Sequence, residues 1–421
     1  MKKDNKSSLT NEYSIKKSYD VIVIGAGPAG MMAAITASRG GKSVLVLEQK
    51  DTPLKKIYAT GNGRCNYTNL TFDKKVFRGD RTEFAYDAYE RFDNKALIGF
   101  MKGIGVISKD ISGYVYPYNE QARTIAQALL FECRRLGVSI ICSRVVDITI
   151  NNKKDDQSRF SVITDKQEGF TCRDIVIAVG GKASPTHGSD GNLNKVIRRL
   201  GHEILLQRPA LVPLTFEDKK YSDLAGVRLK CKITLMIDDK ETEKETGEII
   251  FNKDNISGIP VMQLSRYATK ALDEKKDVSL KIDLFPDMNE DELCKLIKDT
   301  DSDMSVSEAL SLITNEKMAG FVVSDCGLNE IKVSQAEDKI YKAVSVLKAL
   351  SVKINGDCGF NRAQVTSGGV DLNQINADMG SKLVDGLYFA GEILDVDGTC
   401  GGYNLQWAFT SGYIAGSTLA K

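Results

Sequence analysis

Residues 20–48 carry a glycine fingerprint, Gly25-Ala26-Gly27-Pro28-Ala29-Gly30, between a short apolar strand (VIVI) and a stretch of helical spacing that runs to about Arg39. A second apolar strand, SVLVLE, follows and ends on Glu48. Strand, glycine turn, helix and strand make one βαβ unit of the kind that binds dinucleotides, and such a unit belongs in an α/β fold with a parallel sheet. Gly25 permits the tight turn, Gly27 lets the backbone approach a pyrophosphate, and Gly30 lets helix and strand close on each other, while the helix N-terminus faces the phosphates. Glu48 is placed to accept hydrogen bonds from ribose hydroxyls, and a carboxylate there disfavours a 2′-phosphate. FAD and NAD share these needs, so the fingerprint alone does not choose between them.

The chain around this unit is long, 421 residues with 42% hydrophobic content, which implies at least two domains. Lysine plus arginine number 57 against 56 aspartate plus glutamate, so the net charge of +1 supplies no field to attract nucleic acid or an anionic membrane. No apolar run reaches the roughly 18 residues of a membrane span, and the N-terminus lacks the apolar stretch of a secretory signal; a cytoplasmic location is expected. Nine scattered cysteines fit reduced thiols, and two histidines, His187 and His202, without C-x-x-C or H-E-x-x-H spacing argue against a zinc or iron–sulfur site.

Residues 1–18 are polar and aperiodic and read as a flexible tail. GVSIIC, RVVDITI, RFSVIT and FTCRDIVIAVG, within 137–180, read as a β-meander returning to the main sheet. Between about Lys195 and Lys353 the dinucleotide-binding features vanish, which reads as an inserted region. GLYFAGE, 386–392, restores a buried strand, and an Ala- and Gly-rich helix from about Gly402 to Leu419 ends the chain.

Three further segments carry chemistry. Gly61, Gly63, Arg64, Cys65, Asn66 and Thr68 lie in KIYATGNGRCNYTN, where glycines and small polar groups suit a loop whose amides and guanidinium meet phosphate or ring oxygens; a solvated turn is the alternative. Cys65 reads as a small packed residue rather than a redox thiol. Gly180 and Gly181 end the strand DIVI, allowing a cofactor to lie against bare backbone, or forming a plain turn. Gly391, Glu392, Asp395, Gly402, Tyr403, Asn404 and Leu405 form GEILDVDGTCGGYNL, where a helix beginning near Gly402 would aim its positive end at a cofactor.

These segments, in this order, resemble the BaiN-like family of bacterial FAD-dependent oxidoreductases, which includes proteins called aminoacetone oxidases. The resemblance rests on GAGPAGMMAA, ATGNGRCNYTN, AVGGKASPTHGSDG, GEIIFNKDNISGIPVMQLSR, VTSGGVDL and GLYFAGEILDVDGTCGGYNLQWAFTSGYIAG, and it covers nearly the whole chain after the tail. It implies FAD as cofactor, held in a three-layer, two-part Rossmann-like domain (19–195 and 354–421) that also brings Val146 to the cofactor. It also implies an insert (196–353) made of a β-barrel (about 205–257 and 323–353) and a helical subdomain (about 258–322). Gly258-Ile259-Pro260 departs from the glycine–proline pair expected there.

The activity implied is NAD(P)H-fed reduction of a conjugated C=C bond in a small hydrophobic carbonyl compound, such as a 3-oxo bile-acid or steroid intermediate. Alternatives are an amine or aminoketone oxidase using O2 and a flavin-binding redox sensor. Hydride delivery to the β carbon needs a proton donor for the α carbon and a donor to the carbonyl; Tyr403, Arg64 and His187 are the candidates. With a single fingerprint, NADH or NADPH would visit the flavin transiently, giving ping-pong kinetics. The insert is expected to wall the substrate pocket, with Ile259, Val261 and Met262 either touching substrate or packing an ordinary helix.

Overall fold

The computed structural model describes residues 16–151, 158–336 and 339–421. Of the expected tail, residues 1–15 lie outside the described residues, and the strand Ser18–Ile24 already begins at Ser18. The chain folds as two compact units, one formed by Arg208–Gln364 and the other by the remainder. The second unit thus begins and ends later than the expected 196 and 353. The reason is apolar: Val196, Ile197, Leu200 and Ile204 are buried in the first unit's core.

In the first unit the sheet is parallel at its centre. Ser18–Ile24 lies between Val44–Glu48 and Gly169–Ile177, and Leu387–Phe389 pairs with the C-terminal half of the latter strand. Val21–Ile24, Val44–Leu47 and Ile175–Ile177 are continuous apolar runs buried on both faces, as a sheet covered by helices requires. The helix Pro28–Arg39 connects the first two strands, and the final helix, Tyr403–Leu419, lies against it. The fold is the Rossmann-like α/β class expected from the fingerprint.

The expected meander is three strands rather than four. Val145–Ile150, Phe160–Thr164 and Gly169–Ile177 pair antiparallel, but Ser139–Cys142 goes to the opposite edge, parallel to Val44–Glu48. A four-residue apolar run does not reveal its partner. The helix Ala122–Arg135 leads into it, so the segment is a crossover back to the parallel sheet.

The second unit holds a closed six-stranded barrel: Leu214–Phe216, Asn255–Ser257, Lys240–Phe251, Arg228–Ile237, Val278–Asp283 and Leu350–Asp357. One of these, Val278–Asp283, comes from the span assigned to helices. Its alternation of buried Val278, Leu280 and Ile282 with more exposed neighbours is the period of a half-buried strand. Conversely, the helix Lys339–Lys348 falls within the span assigned to the barrel, and the helix Glu316–Cys326 ends in it. In the helix Ile259–Asp273, Val261 is fully buried in this unit's core, the ordinary packing role, whereas Ile259 is exposed. Among the described residues no helix is long and apolar enough to cross a membrane.

Candidate functional site

The site is built at the C-terminal ends of the first unit's parallel strands. After Ile24 the chain turns so that the Gly25 amide donates to the Leu47 carbonyl at 2.8 Å, and the Ala26 amide donates to Glu48 Oε2 at 2.8 Å. The other carboxylate oxygen of Glu48 accepts from the Lys50 amide at 2.9 Å. Burial pushes the Glu48 carboxyl above its ordinary value, against the lowering effect of these amides. A carboxylate offers about four lone-pair sites, so capacity remains for a ribose hydroxyl. The helix Pro28–Arg39 starts at Gly27 with no side-chain cap, and the position a Gly27 Cβ would occupy is open. Uncapped amides over open space beside a buried carboxylate fit the pyrophosphate and ribose of a dinucleotide.

Other predicted residues close around this turn. A Cβ on Gly25 would lie 2.4 Å from the Ala178 carbonyl oxygen, and one on Gly391 would lie 2.9 Å from the Ala29 Cβ. Gly181 sits against Thr366 and Glu392. Pro28 occupies the first helical turn, and Leu405 packs against the core from the final helix.

The second predicted loop lies in a run of unusual backbone. Gly61, Asn62, Gly63 and Cys65 have φ of 54°, 54°, 84° and 59°. A non-glycine residue in this region costs roughly 1–3 kcal/mol, so the run is a feature the surrounding structure imposes. Cys65 is fully buried and its thiol is pushed up to about 12 by burial, which makes it a packed residue as expected. Asn66 Oδ1 is buried with no hydrogen-bond partner and lies 2.9 Å from where a Gly402 Cβ would be. The loop therefore meets the start of the final helix, and Asn66 presents there an acceptor without a donor.

Several predicted side chains are engaged in holding the site. Glu392 Oε2 accepts from Lys56 Nζ at 2.9 Å and Oε1 from the Thr366 amide at 2.8 Å. Asp395 accepts from the amides of Asp80 and Gly368 at 2.9 and 3.1 Å. Asn404 pairs with both backbone groups of Gly398, and Thr68 donates to Gln406 at 2.5 Å. These carboxylates and amides fasten loops from distant parts of the sequence. Lys56 and Thr366 were not among the predicted site residues; both lie in motif segments, but their partner is legible only once the chain is folded. Val146 stands on the edge strand Val145–Ile150 with an exposed side chain.

The three candidates for chemistry fare differently. The Arg64 guanidinium lies over the Tyr116 ring at 4.5 Å and is bonded to Glu120, while its Nε has no partner. His187 is followed by Gly188, whose Cβ position lies 3.6 Å from Glu48 Oε1. The backbone next to His187 therefore lies beside the Glu48 carboxylate. Tyr403 is buried, and its hydroxyl donates to the Thr71 carbonyl at 2.8 Å; burial first, then the neighbouring Tyr114, Tyr89 and Asp73, push it up to about 12. This geometry favours an anchoring tyrosine over a proton donor. Tyr403→Phe is accordingly expected to lower stability by about 0.5–1.5 kcal/mol and to leave substrate turnover within about twofold. A loss of tenfold or more in the substrate half-reaction, with stability unchanged, would restore it as the donor.

Uncapped helix amides, a buried strand-end carboxylate and a strained glycine loop on a Rossmann sheet have the character of a dinucleotide-binding site. The model for the HI0933-like protein Rossmann domain matches residues 19–418, and the chain belongs to that family of FAD-dependent oxidoreductases. The chain is 35% identical over 411 residues, 95% of its length and 98% of the relative's, to the 3-dehydro-bile acid delta(4,6)-reductase of Clostridium scindens. It is 29% identical over 406 residues, covering 95% of this chain and 98% of the relative, to a ribosomal RNA dihydrouridine synthase of Haemophilus influenzae. The latter likeness weighs against the expectation, drawn from net charge, that nucleic acid is not a partner. Among solved structures, a 3-ketosteroid-delta4-(5alpha)-dehydrogenase of Rhodococcus jostii shares the fold, with a TM-score of 0.50 and 14% identity over 98% of this chain and 99% of that one.

Proposed function

We propose that this protein uses FAD and NAD(P)H to reduce a C=C bond conjugated to a carbonyl, with a 3-oxo bile-acid or steroid intermediate as substrate. The observation that carries the reading is the likeness to the bile-acid delta(4,6)-reductase over nearly the full length of both chains. The chemistry a bound FAD brings is hydride transfer. In this reading the amides at Gly27–Gly30 hold the pyrophosphate and Glu48 holds the adenosine ribose. The loop 61–66, bare at Gly61 and Gly63 and carrying Asn66 Oδ1, receives the ring system. The final helix has no side-chain cap at Gly402, so its positive end is free to stabilise negative charge on the ring. Arg64 of the same loop, whose side chain is partly exposed, would polarise the carbonyl.

A second reading has direct support in the dihydrouridine synthase relatives. Uracil also contains a C=C bond conjugated to a carbonyl, so the same chemistry on a nucleobase would serve. The two separate cleanly. Incubation with NADH or NADPH and a 3-oxo-Δ4 steroid is expected to remove the enone absorbance and add two hydrogens to the product mass. An unchanged enone, together with dihydrouridine appearing in digests of treated ribosomal RNA, would overturn the steroid reading in favour of the second.

A further inference from the structure

Beside the strained loop stands a small three-stranded sheet whose central strand, Tyr114–Pro117, alternates sharply. Val115 and Pro117 are buried, whereas Tyr114 is 38% exposed and Tyr118, just past the strand, 67% exposed. Tyr116 shares their face and is covered in part by Arg64. On the neighbouring strand, Ser108–Ile111, Lys109 stands opposite Tyr116 and Ile111 opposite Tyr114; Ile107, 70% exposed, takes the amide of Tyr118 on its carbonyl. Cross-strand pairs project to the same side, so Ile107, Ile111, Tyr114, Tyr116 and Tyr118 form one largely apolar, aromatic face, with Lys109 among them and held by Glu120. Contiguous exposed apolar surface of this kind on a soluble domain marks a binding site.

The charge on this face decides what it suits. Residues 107–120 hold three charged side chains, Lys109, Asp110 and Glu120, and Arg64 adds a fourth. Both cations are bonded to Glu120, and Asp110 accepts from the Gly113 amide at 2.7 Å. Asp110 pairs with the buried Val115 and projects to the other side, so the face itself holds Lys109, Arg64 and Glu120. Glu120 engages both cations, which leaves no extended row of free cations such as an RNA backbone needs. The five strand positions from Tyr114 to Tyr118 span about 13 Å, the length scale of a fused tetracycle. The face also adjoins the strained loop: a Gly61 Cβ would lie 4.0 Å from Tyr116 Cε1.

We propose that this Ile107–Ile111–Tyr114–Tyr116–Tyr118 face is the seat on which the flat, apolar ring system of a polycyclic ketone lies. The inference rests on the reductase reading and gives that reading a surface that selects the substrate. It is tested without turnover, by equilibrium dialysis of 4-androstene-3,17-dione against the FAD-loaded protein with no nicotinamide present. Ile107→Ser and Tyr118→Ser alter exposed side chains and are not expected to disturb folding; Ile163→Ser, on an exposed position elsewhere in the first unit, serves as control. Each of the first two is expected to raise the dissociation constant about tenfold, with FAD content and the control unchanged. Absence of steroid binding to the wild-type protein, or equal binding by wild type and both variants, overturns the proposal. So does binding of a single-stranded RNA oligonucleotide that the same variants abolish, or a dimer in sedimentation that they dissociate. Binding on this face without reduction would sink only the reductase reading, whereas reduction with unchanged variants would sink only the seat.

Discussion

Gly412→Val is expected to strip the protein of flavin and to destabilise its first unit by about 3 kcal/mol or more. The final helix meets the helix Pro28–Arg39 through bare backbone. A Cβ on Gly412 would stand 2.2 Å from the Ala29 carbonyl oxygen, and one on Gly416 would stand 2.5 Å from that of Ala33. Both obstacles are backbone atoms that no rotamer change can move aside, so a side chain must push the helices apart. On the FAD reading, the helix displaced carries the amides that would hold the pyrophosphate, so packing and cofactor affinity are expected to fail together. Thermal unfolding and flavin absorbance of the purified variant measure both, and retention of FAD with an unchanged Tm would show that the helices tolerate separation.

Glu48→Ala is expected to weaken FAD binding by one to two orders of magnitude while the apoprotein unfolds at nearly the wild-type temperature. Hydrogen bonds to a charged acceptor are worth about 1.5–3 kcal/mol, whereas the carboxylate is held in the apoprotein by backbone amides with burial working against it. The pH dependence has a definite sign. Because the folded state raises this carboxyl, it binds more protons than the unfolded chain between the two values. Glu48's contribution to stability therefore falls as pH rises from the ordinary glutamate range through the raised value. The deprotonated form is the better ribose acceptor, so FAD affinity moves the opposite way and strengthens over that window. Fluorescence titration of FAD against apoprotein across this range checks it; equal affinities for wild type and variant would remove Glu48 from the ribose.

Periodicity and punctuation made much of this molecule readable in advance. The fingerprint, the strand ending at Glu48 and the Gly-rich final helix are local patterns whose geometry follows from residue spacing, and they fall where spacing put them. Cys65 was readable as a packed thiol because a free cysteine usually behaves as a small buried apolar residue. Partner choice was not readable. Ser139–Cys142 is too short and too uniformly apolar to announce which edge it joins, and Val278–Asp283 joins a barrel whose other strands are far away in sequence. The site suffers most from this limit. Lys56 meets Glu392, Arg64 meets Glu120 and Tyr403 meets Thr71 only because the fold closes long loops, and these contacts turn several predicted ligands into fasteners. His187 followed a suggestive glycine segment, and its neighbour Gly188 lies beside Glu48, a placement that residue order does not carry.

Flavin reduction by a nicotinamide and the following transfer to a conjugated C=C bond are two half-reactions that can be watched separately at the flavin absorbance without oxygen. NADH or NADPH is expected to bleach the bound flavin, and subsequent addition of 4-androstene-3,17-dione or a 3-oxo-Δ4,6 bile acid is expected to restore the yellow colour in stoichiometric amount. Bleaching by a small amine but by neither nicotinamide, or a bleached flavin that only oxygen and no enone can recolour, would contradict it.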